Sequence, residues 1–247
     1  MDRMIYVAMT GAEHMAERQA TIAHNLANLS TTGYRADVSV FRAAYINGPG
    51  LATRAFVVDS TAGVDLTPGP IQETGRNLDV AVQGSGWIAV QLQDGSEAYT
   101  RNGSLQMDAN GVLQTHDGQN ILGDGGPITI PQNTQVVIGR DGTISAVPFG
   151  NQPNTVSTVG RIKLVNPDPS QLVKGDDGLF RLTSGAAAEA DANVSLAGGA
   201  LESSNVNAIS AMVDMITTAR EYEMNMTLLQ NASQNEHAAA QTLSVTS

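Results

Sequence analysis

The chain has 247 residues, enough for one good core with an appended element or for two small domains. Its formal net charge is −11, from 13 Lys and Arg against 24 Asp and Glu with no basic cluster, which argues against nucleic acid as a partner. No run reaches the roughly 18 apolar residues of a membrane span, and the absence of Cys removes disulfides and thiolate metal sites while leaving the compartment open.

From the start of the chain, Ile5, Ala8, Ala12, Met15, Gln19, Ile22, Leu26 and Leu29 recur in alternating steps of three and four, which predicts a helix with an apolar seam within residues 1–35. The apolar patch from Ile5 to Met9 stops at Thr10 and Gly11, with Glu13 and His14 following, so it lacks the h-region of a cleaved signal peptide. The expectation is a cytoplasmic protein or one exported by a route that uses no such peptide. Asn25 lies at the edge of the stripe and Asn28 further round; such amides either set register by demanding a hydrogen-bond partner or are simply solvated. Gly33 is expected to end the helix in a left-handed conformation, with Tyr34 anchoring the chain as it turns.

Residues 36–75 read as an extended connecting segment with isolated strands, because Pro49, Pro68 and Pro70 break any long element. Residues 76–183 read as a central β domain. Leu78, Val80 and Val82 alternate with small or polar residues, as do Ile88, Val90 and Leu92, and further strands are expected at 128–130, 135–138, 143–147, 161–165 and 179–182. Asp94-Gly95, Asn102-Gly103, Asn110-Gly111, Asp117-Gly118 and Asp141-Gly142 supply turns, since Asn, Asp and Gly tolerate positive φ.

Residues 184–200, rich in Ala, Gly and Ser, read as a return linker to a C-terminal helix within residues 201–247, capped at Ser203, Ser204 or Asn205. Met212, Met215, Ala219, Tyr222, Met226 and Leu229 repeat the seam spacing, and neither Gly nor Pro occurs from Ala200 onward. Arg220 and Glu223, three apart, are placed to pair on its surface. The expected fold is α+β, with N- and C-terminal α-helices pairing as a coiled coil and a central, mainly antiparallel β domain. A single two-helix seam leaves apolar residues such as Val213 and Ile216 uncovered, so the helices are expected to order fully when neighbouring copies cover those faces.

Chemistry finds little support. Gly84-Ser85-Gly86-Trp87-Ile88-Ala89, with Asp108 beyond it, formally resembles a dinucleotide fingerprint, but Ile88, Val90 and Leu92 continue as a strand where that motif needs a helix. His14, His24, His116 and His237 lack metal-like spacing, and Asp176-Asp177 beside Gly175 reads as a solvated turn. No nucleophile sits in a recognisable frame, so the chain is expected to be neither an enzyme nor a cofactor or metal binder.

Asn25-Leu26-Ala27-Asn28-Leu29-Ser30-Thr31-Thr32-Gly33-Tyr34-Arg35 resembles the N-terminal signature of the bacterial flagellar basal-body rod and hook family. Gly199-Ala200-Leu201-Glu202-Ser203-Ser204-Asn205-Val206-Asn207, followed by Met215-Ile216 and Arg220-Glu221-Tyr222-Glu223, resembles its C-terminal partner. Leu78-Asp79-Val80-Ala81-Val82, Gly84-Ser85-Gly86-Trp87 and Tyr99-Thr100-Arg101-Asn102-Gly103 are similar to the family's central β domain, so the resemblance spans most of the chain. The opening Met1-Asp2-Arg3-Met4-Ile5-Tyr6, the length and Gly160-Arg161-Ile162-Lys163-Leu164-Val165 look most like its proximal-rod members, whereas Trp87 stands where many distal-rod and hook relatives carry two successive Phe.

The resemblance implies a structural subunit exported uncleaved through the flagellar type III apparatus and built into the axial rod that crosses the periplasm, transmitting torque. Its implied partners are that export apparatus and other proximal- and distal-rod subunits, met head to tail in an open helical assembly. The residues expected to carry assembly are Ile5, Met15, Ile22, Asn25, Leu26, Asn28, Leu29, Gly33, Tyr34, Asn205, Met212, Met215, Ile216, Arg220, Tyr222, Met226 and Leu229. The rival readings are a distal-rod or hook subunit and, from a different class, an extracytoplasmic adhesin or carbohydrate-binding β module with helical ends.

Overall fold

The computed structural model of the chain describes residues 2–45, 55–148 and 156–245. In chain order, α1 (Asp2–Ala27) leads to β1 (Asp37–Tyr45), β2 (Ala55–Val64), β3 (Ile71–Glu73), β4 (Val80–Gln83), β5 (Trp87–Gln91) and β6 (Glu97–Thr100). β7 (Leu105–Met107), β8 (Leu113–Thr115), β9 (Asn120–Gly123), β10 (Gly126–Pro127), β11 (Thr134–Ile138) and β12 (Thr143–Pro148) follow. β13 (Ser157–Arg161), β14 (Leu164–Val165), β15 (Leu172–Lys174), β16 (Phe180–Leu182), β17 (Ser195–Gly198) and β18 (Ala200–Glu202) precede α2 (Ala208–Val245). These elements fall into two units, one of residues 1–28, 36–65 and 206–247 and one of Leu29–Arg35 and Leu66–Asn205.

The second unit is the β domain. Its largest sheet runs in the order β15-β16-β6-β5-β9-β8-β7, with β14 also on β5 and β10 on β9, and every pairing is antiparallel. β5 is its centre and is buried from Trp87 to Val90, which explains why this stretch is almost continuously apolar. A second sheet, β11-β12-β13, turns Val136, Ile138, Ile144 and Ala146 inward and Ser145 and Val137 outward, the two-residue period of a strand with one covered face. Ile88, Val90, Leu105, Leu113, Ile121, Ile144 and Leu196 are fully buried together in one hydrophobic cluster. Turns punctuate these strands at Gly95, Gly111, Gly118 and Gly142, all at positive φ, and in three of them the preceding Asp side chain accepts the backbone N–H two residues on. Gly84 and Gly86 lie in the turn between β4 and β5, so no helix opens at the dinucleotide-like stretch.

The first unit contains α1, α2 and a ribbon. Residues 37–45 and 55–64, read from sequence as part of a connecting segment with isolated strands, pair with each other: β1 and β2 form an antiparallel ribbon with a bulge between Val38 and Val40. Pro49 lies outside the described residues. Along α1, Ala12 and Ile22 are buried and Ala8, Met15, Gln19 and Leu26 half-buried, so the stripe that spacing singled out is the inward face.

The expected paired coiled coil of the two terminal helices is not what the chain forms, although α+β describes it broadly. Among the described residues α-helix is confined to α1 and α2, and strands account for more of the chain. The two helices lie close enough for a Cβ placed on Gly11 to stand 3.4 Å from the Asn225 amide oxygen, but the face α2 turns inward runs through Ala211, Met215, Thr218, Tyr222 and Asn225. Small and polar side chains at alternate positions cannot supply the apolar knobs of a coiled-coil seam. Two members of the expected stripe, Met212 and Met226, are exposed.

Candidate functional site

Two features stand out as surfaces or joints with a role beyond packing. The first is on α2. Ile209, Met212, Val213 and Ile216 recur at i, i+3, i+4 and i+7, the spacing of one helix face, and are 76%, 52%, 56% and 56% exposed. An exposed apolar row of this kind marks a surface made to be covered. α2 opens at Asn207, whose side-chain oxygen accepts the Ser210 N–H at 3.0 Å, so the cap is Asn207 and not Ser203, Ser204 or Asn205. The physical reason is that residues 203–205 are engaged elsewhere, as described below.

At the end of α1 the two asparagines have distinct roles. Asn28 donates from both its backbone N–H and its side chain to the carbonyl of His24, at 3.2 and 3.0 Å, and so closes the helix. Asn25 uses both ends of its amide on one residue: its Nδ2 donates to the Asp37 carbonyl at 2.8 Å, and its Oδ1 accepts the Asp37 N–H at 2.9 Å. This two-point clasp fixes the first residue of β1 on α1, and the His24 to Asp37 contact at 2.9 Å and the Ser39 hydroxyl to Thr21 at 3.0 Å extend it.

The second feature lies wholly within the β unit and is centred on Glu202 of β18, which is fully buried. Its Oε1 accepts from Arg35 Nη2 at 2.6 Å and from the Gly69 N–H at 2.8 Å, while its Oε2 accepts from Arg101 Nη1 at 2.9 Å. Its backbone carbonyl accepts the Gly33 N–H at 2.7 Å. Around it, Ser203 N–H donates to the Pro70 carbonyl, Asn205 N–H to the Tyr34 carbonyl and Asn205 Nδ2 to the Thr67 carbonyl. Arg101 also reaches the carbonyls of Val82 and Gly84, and Lys174 Nζ donates to the Arg35 carbonyl and stands 4.2 Å from the centre of the Tyr34 ring.

Two cations share this one carboxylate. Among the described residues Arg35 Nε and Nη1 and Arg101 Nε have no hydrogen-bond partner, and the guanidinium carbons stand 5.9 and 5.3 Å from the Trp87 ring centre, where the negative π face offsets the surplus positive charge. Burial pulls the Arg101 pKa below its ordinary value, Glu202 opposes that, and Arg35 adds to the lowering. Two glycines make the close approach possible. Gly33 sits at φ +69, and a Cβ there would lie 2.3 Å from the Arg101 carbonyl carbon; at Gly69 a Cβ would lie 2.0 Å from the Ser203 oxygen. Because α1 stops at Ala27, Gly33 does not end the helix as expected; it turns the chain into this cluster.

Of the residues expected to carry assembly, Ile22 is buried, Met15, Leu26, Met215, Tyr222 and Leu229 are half-buried, and Leu29, Met212, Ile216, Arg220 and Met226 are exposed. The side chain of Ile5 lies outside the described residues. Gly33 bonds the Glu202 carbonyl, and Tyr34 and Asn205 bond each other beside it. Glu202, Arg35, Arg101, Gly69 and Trp87 were not among the expected sites, although all but Gly69 stand inside the motif pieces quoted above. Among the described residues no group of His, Asp and Glu is placed to hold a metal ion, and no helix is long and apolar enough to cross a membrane.

Three family models match the chain: the flagella basal body rod protein model over residues 5–35, the FlgE/F/G D1 domain of flagellar hook proteins over 81–146, and the C-terminal model of basal body rod FlgEFG proteins over 197–242. The flagellar basal-body rod protein FlgF of Salmonella typhimurium is 47% identical over 99% of this chain and 100% of its own length, and that of Escherichia coli K12 is equally similar over the same shares. The rod protein FlgG of Buchnera aphidicola subsp. Acyrthosiphon pisum is 34% identical over 90% of this chain and 92% of its own.

Proposed function

This chain belongs to the family of flagellar basal-body rod proteins and is a structural subunit of that rod rather than an enzyme, and we propose that it occupies the proximal rod and joins its neighbours through its terminal helices. The basal body is its location, and other rod and hook subunits are its partners in assembly. With FlgF read as the proximal-rod member, the support for that position is the 47% identity to the FlgF proteins of Salmonella typhimurium and Escherichia coli K12 over 99% of the chain, against 34% to the FlgG protein of Buchnera aphidicola subsp. Acyrthosiphon pisum over 90%. The observation that carries the mode of assembly is the exposed row Ile209, Met212, Val213 and Ile216 on α2. In a screw-related stack this row on one subunit meets a different surface on the next, giving an open helical array that grows along one axis. α1 and the rest of α2 supply the remaining helix surface, with Arg220 and Met226 outward. In this reading the subunit reaches the periplasm through the flagellar export apparatus and transmits torque along the rod.

The test is a deletion strain complemented with the full chain or with a chain lacking residues 225–247, scored by swimming and by the rods in isolated basal bodies. Arrest of the rod near its base, relieved only by the full chain, is the expected result. Completed rods and hooks in the deletion strain would overturn the reading.

A further inference from the structure

The chain passes four times between its two units, at residues 28–29, 35–36, 65–66 and 205–206. The parts of the β unit next to these passages are residues 29–35, 66–70 and 200–205, and all three converge on Glu202. We infer that Glu202 is a stiff joint within the β unit, a positioning residue that holds these three segments in one arrangement where they leave it. The inference rests on the rod-subunit reading, in which torque passes through those segments.

Stability alone does not explain the chemistry chosen. Well-packed apolar residues of similar volume hold a core at least as firmly as a buried ion cluster, because the charges must first be stripped of water. What charges add is discrimination between arrangements. If segment 29–35 or 66–70 slips relative to 200–205, Arg35 or the Gly69 N–H leaves the carboxylate and a buried polar group is stranded, whereas an apolar contact slips at little loss. The geometry around the cluster limits slippage further. Gly69 has no room for a side chain beside Ser203, Gly33 has none beside Arg101, and Trp87 closes the cluster against both guanidinium groups. Arg101 ties the joint to the body of the domain through the Val82 and Gly84 carbonyls at the end of β4 and the turn after it.

The experiment compares the full-length protein with Glu202→Gln by amide hydrogen exchange and by complementation of a deletion strain. Exchange at the Gly33, Gly69, Ser203 and Asn205 amides, each bonded across the joint, is expected to speed up by roughly tenfold or more, the effect of losing a charge-assisted hydrogen bond. The Leu113 and Ile130 amides in the core should stay protected, and swimming should fall. Unchanged exchange at the four amides, equal loosening of the core amides, or normal swimming with loosened segments would each overturn the joint. Gly69→Ala provides a second perturbation that leaves every charge in place and drives a methyl group into Ser203; it should loosen the same amides, and their continued protection would count equally against the joint. Wild-type protein that fails to restore swimming would instead refute the rod reading, independently of the exchange pattern.

Discussion

The double variant Ile209→Ser and Ile216→Ser separates assembly from folding. Both side chains stand outside the packed interior, at 76% and 56% exposure, and Ser and Ile have similar helix propensities, so the isolated subunit should change in stability by no more than about 0.5 kcal/mol. In the assembled rod the same side chains lose their water. Scaling the roughly 1.5 to 3 kcal/mol of a fully buried Ile by the area still exposed gives about 2 to 4 kcal/mol lost per contact for the pair. That corresponds to a roughly 30- to 700-fold weaker association. The assay is complementation of a deletion strain, with counts of completed rods per basal body, alongside helix content and thermal unfolding of the purified variant. Asp214→Ser, exposed on α2 off the row, serves as the control. Normal rod counts in the double variant would refute the assignment of this face to assembly, and early unfolding would show that the residues serve the fold instead.

Asn25→Ala should remove both halves of the clasp on Asp37 and cost about 1 to 3 kcal/mol, seen as faster exchange at the Asp37 amide with the β unit unaffected. Gly33→Ala must hold a non-glycine residue at φ +69 against the Arg101 backbone and should destabilise by more than about 2 kcal/mol in thermal unfolding; a neutral result would contradict the close approach described here. Burial pushes the Tyr99 phenol up to about 12, against 10.0 ordinarily. The folded state therefore holds this proton more tightly than the unfolded state, so its contribution is complete below pH 10 and declines as pH rises toward 12. Thermal unfolding followed from pH 9 to 12 should show this decline, and Tyr99→Phe should flatten it. Leu113→Ala empties a fully buried position of the β core and should cost about 2 to 5 kcal/mol, measured by denaturant unfolding.

Much of the architecture is legible locally. The inward stripe of α1 follows from a period that puts Ala12, Met15, Ile22 and Leu26 on one side of a helix, whatever covers it. The turns at Gly95, Gly111, Gly118 and Gly142 follow from dipeptides whose own chemistry favours positive φ. The rejection of the Gly84 to Ala89 stretch as a nucleotide site follows from the strand pattern after it, and β5 occupies that place. The coiled-coil expectation failed because a three-four spacing describes any helix with one apolar side; it does not say whether that side meets the other terminal helix or something outside the subunit. Met212 fits the stripe as well as Met215, and only packing separates the exposed residue from the half-buried one. The cap of α2 was misplaced by two residues for a related reason: Asn205 and Asn207 are equally good caps in isolation, and the bonds from Asn205 to Tyr34 and Thr67 remove it from that role.

Helices, strands and turns were thus determined by the sequence itself, since they depend on interactions among residues a few positions apart, and linked motifs at the two ends were enough to indicate a rod protein. The Glu202 joint was decided only by tertiary structure. Arg35 and Arg101 stand 167 and 101 residues from Glu202, and each reads singly as an ordinary surface cation. What makes them a site is burial, which turns a weak surface pairing into a demand for one geometry, and burial belongs to the folded chain rather than to any segment of it.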